Sequence, residues 1–373
     1  MKIAIFSDFF FPKIDGVVRQ TTSILEHLHQ CGDDVIVFCA DFGERRYKGA
    51  KIKGLPKIKC PTYPEWPMPI PRKRYIQKEL QKFEPDVALI ICPTFLGLRA
   101  VSIVKQAGVP LAMSHHTDWP TFLKKHGLGF LSEPVWKLIV HLHNRADCNF
   151  ASSAISRKEM IRRGIHSVHV WPHSLKSGCF GPSYHSERMR DRLLGKHKDN
   201  TLLLYVGRVS KEKGLLFLEK IMDARGTLSL AIVGDGPQRK QLEKRLPKDR
   251  TVFTGFLEGE ELAEAYASAD IFIFPSEFET KGFVMLESMA SMTPVVACNA
   301  GGIPDTIVHG KNGLLYEPGD VKGAIDCIES LISRPSLKEA IARQALSADI
   351  TFESWDKDLD IMRSMLKKTA EML

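Results

Sequence analysis

Short apolar runs of strand length alternate along the chain with longer stretches whose apolar positions recur at helical spacing. In the first half the runs are KIAIFS (2–7), DVIVFCA (34–40), DVALIIC (86–92), PLAMSHH (110–116), DCNFAS (147–152) and VHVWP (168–172). Helical patterns lie between them. One is VVRQTTSILEHLHQCG, in which Gly32 reads as a C-terminal stop. Segment 172–200 breaks the rhythm with polar residues, Gly and Pro, and is read as a linker. The alternation then restarts with TLLLYVG (201–207), LSLAIVG (228–234), TVFTG (251–255), DIFIFP (270–275), PVVAC (294–298) and GLLYE (313–317). This is the pattern of a parallel α/β architecture, used twice. Two such wound units imply a cleft between them, with ligands beyond the carboxyl ends of the strands. The last stretch, TFESWDKDLDIMRSMLKKTAEML, has the period of one amphipathic helix.

Composition supports this reading. A chain of 373 residues is long for a single core. No apolar run reaches the roughly 18 residues of a spanning helix. The N-terminus starts apolar at once and meets Asp8 and Pro12, so it reads as a buried first strand and not a signal peptide. The eight cysteines are scattered without a C-x-x-C pair, which points to buried free thiols in a reducing, cytoplasmic setting rather than disulfides or a metal site.

Charge changes the picture more. The net +8 is uneven: residues 1–180 carry 26 Lys and Arg against 15 Asp and Glu, a net +11, and the remainder is −3. The excess concentrates in RRYKGAKIKGLPKIK (45–59) and PRKRYIQKELQK (71–82). A basic half suits an anionic membrane surface, a nucleic acid or an acidic substrate, or is simply a solvated face. Nucleic acid is disfavoured, because these runs have little aromatic interleaving and no recognised binding motif. Segment LKKHGLGFLSEPVWKLIVHLHNR mixes Lys, Phe, Trp and Leu, as an interfacial surface does, although a core helix pair accounts for it equally.

Four stretches could carry chemistry. After TLLLYVG come Arg208 and, in VSKEKG, Lys213; two cations at a strand's carboxyl end suit a diphosphate or lie on a surface loop. Gly234 and Gly236 in GDGP sit between a strand and a helix, either as a tight structural turn or with amides toward a nucleotide. In EFETKGFVMLESMA, Glu279 is expected in a loop, a helix is expected to start near Gly282, and Glu287 is expected inside it facing the same side. Amides of Gly282, Phe283 and Val284 at that helix start would bind an anion. The two carboxylates are an acid/base pair, two hydroxyl acceptors, or unrelated charges. Finally, SHHTDWP places His115 and His116 at a strand end, one inward and one away; neither has a metal partner at plausible spacing, and His141 with His143 reads as helix surface.

The order of these stretches carries more than any one of them. GRVSKEKG, GDGPQRKQLE, VFTGFLEGEELAEAYASADIFIFPSEFETKGFVMLESMA and PVVACNAGGIPDTIVHGKNGLLYEPGD follow one another. Together they resemble the family-four glycosyltransferases, retaining nucleotide-sugar enzymes of GT-B fold. The resemblance is strong over residues 201–320 and lighter over the first half. There SDFFFPKIDGVV, MSHHTDWP and HLHNRADCNFASSAISRKEMIRRG look most like the glycolipid-forming branch, which includes sulfoquinovosyl-diacylglycerol synthases and bacterial lipid mannosyl- or glucosyltransferases.

The resemblance implies an α/β chain of two Rossmann-like doubly wound domains facing across a cleft. Residues 1–178 would form the acceptor-side domain and 179–352 the nucleotide-sugar domain. Residues 353–373 would form a C-terminal helix, for which a crossing back to the first domain is one arrangement. It implies that Arg208 and Lys213 hold the diphosphate of a UDP- or GDP-sugar, Glu279 the donor-sugar hydroxyls and Glu287 the ribose. Amides around Gly282, Phe283 and Val284 would meet sugar and phosphates, with Gly234 and Gly236 on the donor side. Gly16 would admit close backbone approach, and His116 would orient the transferred sugar. The acceptor implied is a lipid hydroxyl, on an enzyme peripheral to the cytoplasmic membrane face. No cofactor or metal is implied, because members of this branch usually need no bound metal for the chemistry. Three departures stand out: Lys281 before the glycine, Met292 in place of a common Gly in the S-G-x-P-V turn, and Ser174 and Lys176 at the linker. A polysaccharide acceptor, a nucleotide-sugar epimerase and an inactive binding paralogue are the alternatives. The Glu279/Glu287 spacing opposes the epimerase, and the retained Arg208, Lys213, Glu279 and Glu287 together oppose the paralogue, which the altered linker favours.

Overall fold

The computed structural model describes residues 1–8, 10, 16–59, 67–91, 94–116, 118–125, 127–171, 175, 178–279, 282–347 and 355–372. Its chain divides into two compact units, Met1–Pro172 with Asp356–Leu373, and His173–Trp355.

The first unit holds β1 (Lys2–Ser7), β2 (Asp34–Ala40), β3 (Arg46–Tyr47), β4 (Ala50–Leu55), the small ribbon β5 (Lys57–Lys59) and β6 (Pro67–Pro69), then β7 (Val87–Ile91), β8 (Leu111–His115), β9 (Cys148–Ala151) and β10 (Val168–Val170). Eight of these form one sheet in the order β10-β9-β8-β7-β1-β2-β4-β3, parallel except for the β3–β4 pair. The six apolar runs expected as strands are strands. The basic run 45–59 contributes more than charge. In β4 Ala50, Ile52 and Leu55 are buried while Lys51 is exposed, so lysines and core residues share one strand. From Ala50 to Ile52 that alternation is the two-residue period of a strand.

Strand order reverses between β1 and β7, the point where an open α/β sheet leaves a crevice. Asp8, at the end of β1, is buried there. Its carboxylate accepts from the amides of Phe95 (3.0 Å) and Leu96 (2.9 Å) and from the Thr94 hydroxyl, and so caps the helix Phe95–Gln106 from across the sheet. Burial pushes the Asp8 carboxyl up to about 6 against the lowering effect of those three bonds. The helix Gly16–Gln30 follows β1, and Gly32 ends it in the left-handed region, as expected. The last helix, Trp355–Ala370, belongs to this unit, and its Arg363 forks onto Asp33 at 2.6 and 3.0 Å.

The second unit holds β11 (Thr201–Val206), β12 (Leu228–Val233), β13 (Thr251–Gly255), β14 (Ile271–Phe274), β15 (Val295–Cys298) and β16 (Leu314–Tyr316). All pair in parallel, in the order β13-β12-β11-β14-β15-β16. Leu202, Leu203, Leu204 and Tyr205 are fully buried in β11, because helices cover both faces of such a sheet. The polar segment read as a linker is partly regular: Ser186 accepts from the Met189 amide and starts the helix Glu187–Leu194. Its Met189, Leu193 and Leu194 lie on one face and enter the core of this unit.

Met292 explains itself as backbone strain. The helix Phe283–Ala290 ends with Met292 N–H bonding to Met289 O (3.1 Å) and Thr293 N–H to Ser288 O (3.0 Å), a Schellman closure that places Met292 at φ 57°. That left-handed position costs a residue with a Cβ about 1–2 kcal/mol. Met292→Gly is therefore expected to raise stability by about 0.5–1 kcal/mol after the greater freedom of glycine in the unfolded chain is deducted. Chemical denaturation should show it, and a loss of stability on this substitution would remove the strain account.

Asp8 yields a second expectation. An acid whose folded pKa lies above its unfolded value holds a proton that the unfolded chain has released. Its contribution is full below about pH 4 and weakens as pH rises toward 6, by about 3 kcal/mol. The advantage of wild type over Asp8→Asn should shrink over that window in thermal unfolding. Carboxyl-carbon NMR of Asp8 should titrate near pH 6, and a midpoint below 4.5 would sink the idea.

Candidate functional site

In the second unit the strand order reverses between β11 and β14, so the loops leaving these two strands diverge and frame a crevice. Arg208 and Lys213 leave β11, and Glu279 leaves β14. Lys213 Nζ lies 2.7 Å from Glu279 Oε2, with the two side chains 22% and 17% exposed. The lysine sits in the 3-10 turn Lys211–Lys213 with its ammonium 5.8 Å from the centre of the Phe274 ring. Residues 66 apart in sequence thus become one charge pair at the mouth of the sheet.

Both partners are held by backbone. The Tyr205 hydroxyl, at the end of the apolar strand β11, donates to Arg208 O at 2.9 Å. Burial, reinforced by the fields of Glu279 and Glu212, pushes the Tyr205 phenol well above its ordinary value, so it remains a donor. Beside it, Ser210 Oγ donates to the buried Glu212 at 2.6 Å. On the other side the Gly301–Gly302 pair clasps Glu279. The Gly302 amide donates to Glu279 O at 2.7 Å, and a Cβ on Gly301 (φ 59°) would stand 2.5 Å from that same oxygen. The Gly-Gly pair that follows the glutamate motif is there for close approach to the main chain of its first glutamate. Sequence reasoning passed over Tyr205 because its one polar atom is hidden in an apolar run.

The two glutamates have different partners. Gly282 caps the helix Phe283–Ala290 from the left-handed region, φ 73°, beside the Glu279 side chain, and so puts Phe283 and Val284 in the first turn. Glu287 is only 1% exposed, and its Oε2 accepts from the Tyr266 hydroxyl at 2.7 Å. It was expected to face the same side as Glu279; it is buried with Tyr266, a residue the sequence reading did not single out. A tyrosine next to an Ala-Ser-Ala-Asp run, one strand before the motif, was the available signal.

The GDGP turn has a packing explanation. A Cβ on Gly234 (φ 125°) would overlap the Gly207 carbonyl. The Gly234 amide donates to Gly255 O at 2.7 Å and the Gly236 amide to Asp235 Oδ1 at 2.7 Å. Val209 N–H to Asp235 O and Gln238 N–H to Val209 O, both 3.0 Å, lace this turn to the Arg208 loop. Amides expected toward a nucleotide thus have partners inside the protein, and the turn instead sets the height of the cationic loop.

In the first unit, Gly16 opens its helix, and among the described residues beyond its own helix turn nothing lies within 4 Å of where a side chain would begin. His116 is half-buried, its ring 5.8 Å from Trp171 at an edge-to-face angle, and burial lowers its pKa to about 4. His115 points inward, stacked on Trp136 and near His143. His143 is not surface: it is fully buried, with Nδ1 2.7 Å from Asn149 Oδ1, and burial takes its pKa to about 3; His141 is exposed, as read. Cys39, Cys148 and Cys298 are buried free thiols, Cys31 and Cys327 half-buried, and Cys179 exposed. Lys281, Ser174 and Lys176 lie outside the described residues.

Comparison with known proteins gives this geometry its family. The model described as Glycosyltransferase Family 4 matches residues 14–175, and that described as Glycosyl transferases group 1 matches 187–347. Sulfoquinovosyl transferase SQD2 of Arabidopsis thaliana is 35% identical over 342 residues, 90% of this chain and 67% of that protein. A GDP-mannose-dependent alpha-mannosyltransferase of Mycobacterium tuberculosis is 32% identical over 93% of this chain and 92% of its own. Alpha-monoglucosyldiacylglycerol synthase of Streptococcus pneumoniae is 26% identical over 96% and 84%. Among solved structures, sucrose-phosphate synthase from Thermosynechococcus elongatus has a TM-score of 0.81 at 20% identity, with 98% of both chains covered, a likeness of fold. The chain belongs to glycosyltransferase family 4: it is a glycosyltransferase of GT-B fold.

Proposed function

We propose that this glycosyltransferase moves a hexosyl group, with retention, from a UDP- or GDP-sugar to a hydroxyl of a lipid acceptor. The Lys213–Glu279 pair carries the proposal. A nucleoside-diphospho sugar brings a dianionic diphosphate next to sugar hydroxyls, which is the complement of an ammonium next to a carboxylate. The ligand parts the pair: Lys213, with Arg208, takes the diphosphate, and Glu279 accepts from the sugar hydroxyls. Amides of Phe283 and Val284 at the helix start add donors between the two. Glu287, oriented by Tyr266, is assigned the ribose, and His116 a substrate hydroxyl. A histidine neutral above about pH 4 offers one donor and one acceptor there.

In the reaction, the bond from the anomeric carbon to the diphosphate oxygen breaks. A bond from the same carbon to the acceptor oxygen forms on the same face, and the acceptor proton passes to the departing diphosphate. Arg208 and Lys213 stabilise the charge that grows on that leaving group, and no metal is invoked. The donor reading rests on relatives named for GDP-mannose and for glucosyl transfer. The lipid reading rests on the relative named for diacylglycerol and on one surface of the first unit. Leu128, Phe130 (75% exposed), Leu131 and Leu138 stand out to solvent near Lys124 and Lys137, in the half with net charge +11. Among the described residues no helix is long and apolar enough to cross a membrane, and we propose peripheral, charge-assisted binding at the cytoplasmic face.

Two experiments check the reading. Lys213→Ala and Glu279→Ala should each lower kcat/KM by about 100- to 1,000-fold in a folded protein. Affinity for the nucleoside diphosphate alone should fall in Lys213→Ala and hold in Glu279→Ala; wild-type turnover from either variant would remove the assignment. Separately, the protein should sediment with anionic vesicles at low salt and release as the Debye length shortens to about 10 Å at 0.1 M. No binding at low salt would sink the membrane reading.

A further inference from the structure

The first unit carries a cluster that the transfer reaction does not use. His27 lies in the last turn of the helix Gly16–Gln30, Cys31 follows one turn later, and Asp360 projects from the last helix, Trp355–Ala370. His27 Nε2 is 3.6 Å from Cys31 Sγ and 3.1 Å from Asp360 Oδ1, and all three atoms lie within 4.8 Å of one another. His27 and Cys31 share a helix face by their four-residue spacing.

The convergence calls for an ion. Sulfur and carboxylate both address one imidazole nitrogen, which has either one hydrogen or one lone pair to give, so hydrogen bonding satisfies only one of them. A cation at the common centre satisfies all three. Zinc bonded at about 2.05 Å to nitrogen and oxygen and about 2.3 Å to sulfur, in a tetrahedron, sets its ligands about 3.5 Å (N to S) and about 3.3 Å (N to O) apart. The observed separations, 3.6 and 3.1 Å, are those edges. Charge balances as well, since thiolate and carboxylate together neutralise a divalent cation. Arg363, on the same helix as Asp360, is already forked onto Asp33. His27 is nearly closed off while the Asp360 side chain is 66% exposed, which leaves an entry path and a fourth position for water.

We infer that His27, Cys31 and Asp360 bind a thiophilic divalent cation, with zinc the best match, that pins the last helix to the first helix of this unit. Binding deprotonates Cys31 Sγ and releases that proton to solvent, so uptake strengthens as pH rises. The site joins residues from opposite ends of the chain, and cysteine spacing could not disclose it.

Cobalt(II) is the probe. The full chain, reduced and stripped with chelator, should take up one cobalt, with a thiolate-to-metal charge-transfer band and tetrahedral d–d absorption that zinc then displaces. Cys31→Ser should abolish the charge-transfer band and Asp360→Asn should weaken binding at least ~10-fold, whereas Cys179→Ser, which removes the exposed thiol, should change neither. Zinc at a hundredfold excess over its Kd should raise the thermal midpoint of wild type on the order of 5 °C and leave Cys31→Ser unmoved. Metal-free wild type and variants should share one far-UV spectrum; if Cys31→Ser fails to fold, His27→Gln takes its place with loss of binding expected. A band that survives Cys31→Ser, or uptake well below one ion per chain, overturns the inference.

Discussion

The reversal of strand order between β11 and β14 is the constraint on which the second unit depends. Strands on one side of that line are reached by crossovers running one way and strands on the other by crossovers running the opposite way, each of the same hand. The two connecting loops therefore part and leave space at the carboxyl edge of the sheet. Whatever residue types end β11 and β14 must then face that space together. Here they supply an ammonium and a carboxylate, and the glycines of 234 and 301 let neighbouring backbone come close enough to fix their height.

The Lys213–Glu279 contact does little for stability. A partly exposed ion pair contributes about 0–1 kcal/mol, because desolvation and side-chain ordering offset most of the Coulomb gain. Its significance is preorganisation. Two opposite charges are already partly stripped of water, beside the Phe274 ring, and in the proposed reaction they exchange each other for a phosphate and a hydroxyl. The buried Glu287–Tyr266 bond works differently, since a carboxylate this far from solvent keeps its place only while hydrogen-bonded. One motif thus holds two carboxylates in different environments.

Much of the fold was legible in the sequence, for a physical reason. Parallel strands covered on both faces need continuous apolar runs, and twelve such runs were visible as strands before their pairing was known. The strand Ala50–Leu55 escaped because its lysines mask the alternate core positions, and the helix Glu187–Leu194 escaped because only three of its eight residues are buried. At the site, Lys213 and Glu279 were visible through motif order alone. His143 was misread as surface because helical spacing does not say which side of a helix is covered.

What the sequence determined by itself was local and periodic: strand and helix positions, the imbalance of charge between the halves, and the order of motifs that marks the family. These depend on residues a few positions apart, where side-chain period and backbone propensity act directly. Tertiary structure decided which distant residues meet. It joined Lys213 to Glu279, buried Glu287 on Tyr266, and brought Asp360 to His27 and Cys31. Those meetings follow from strand order and helix docking, which are set by the summed burial of many apolar side chains and by no single local signal.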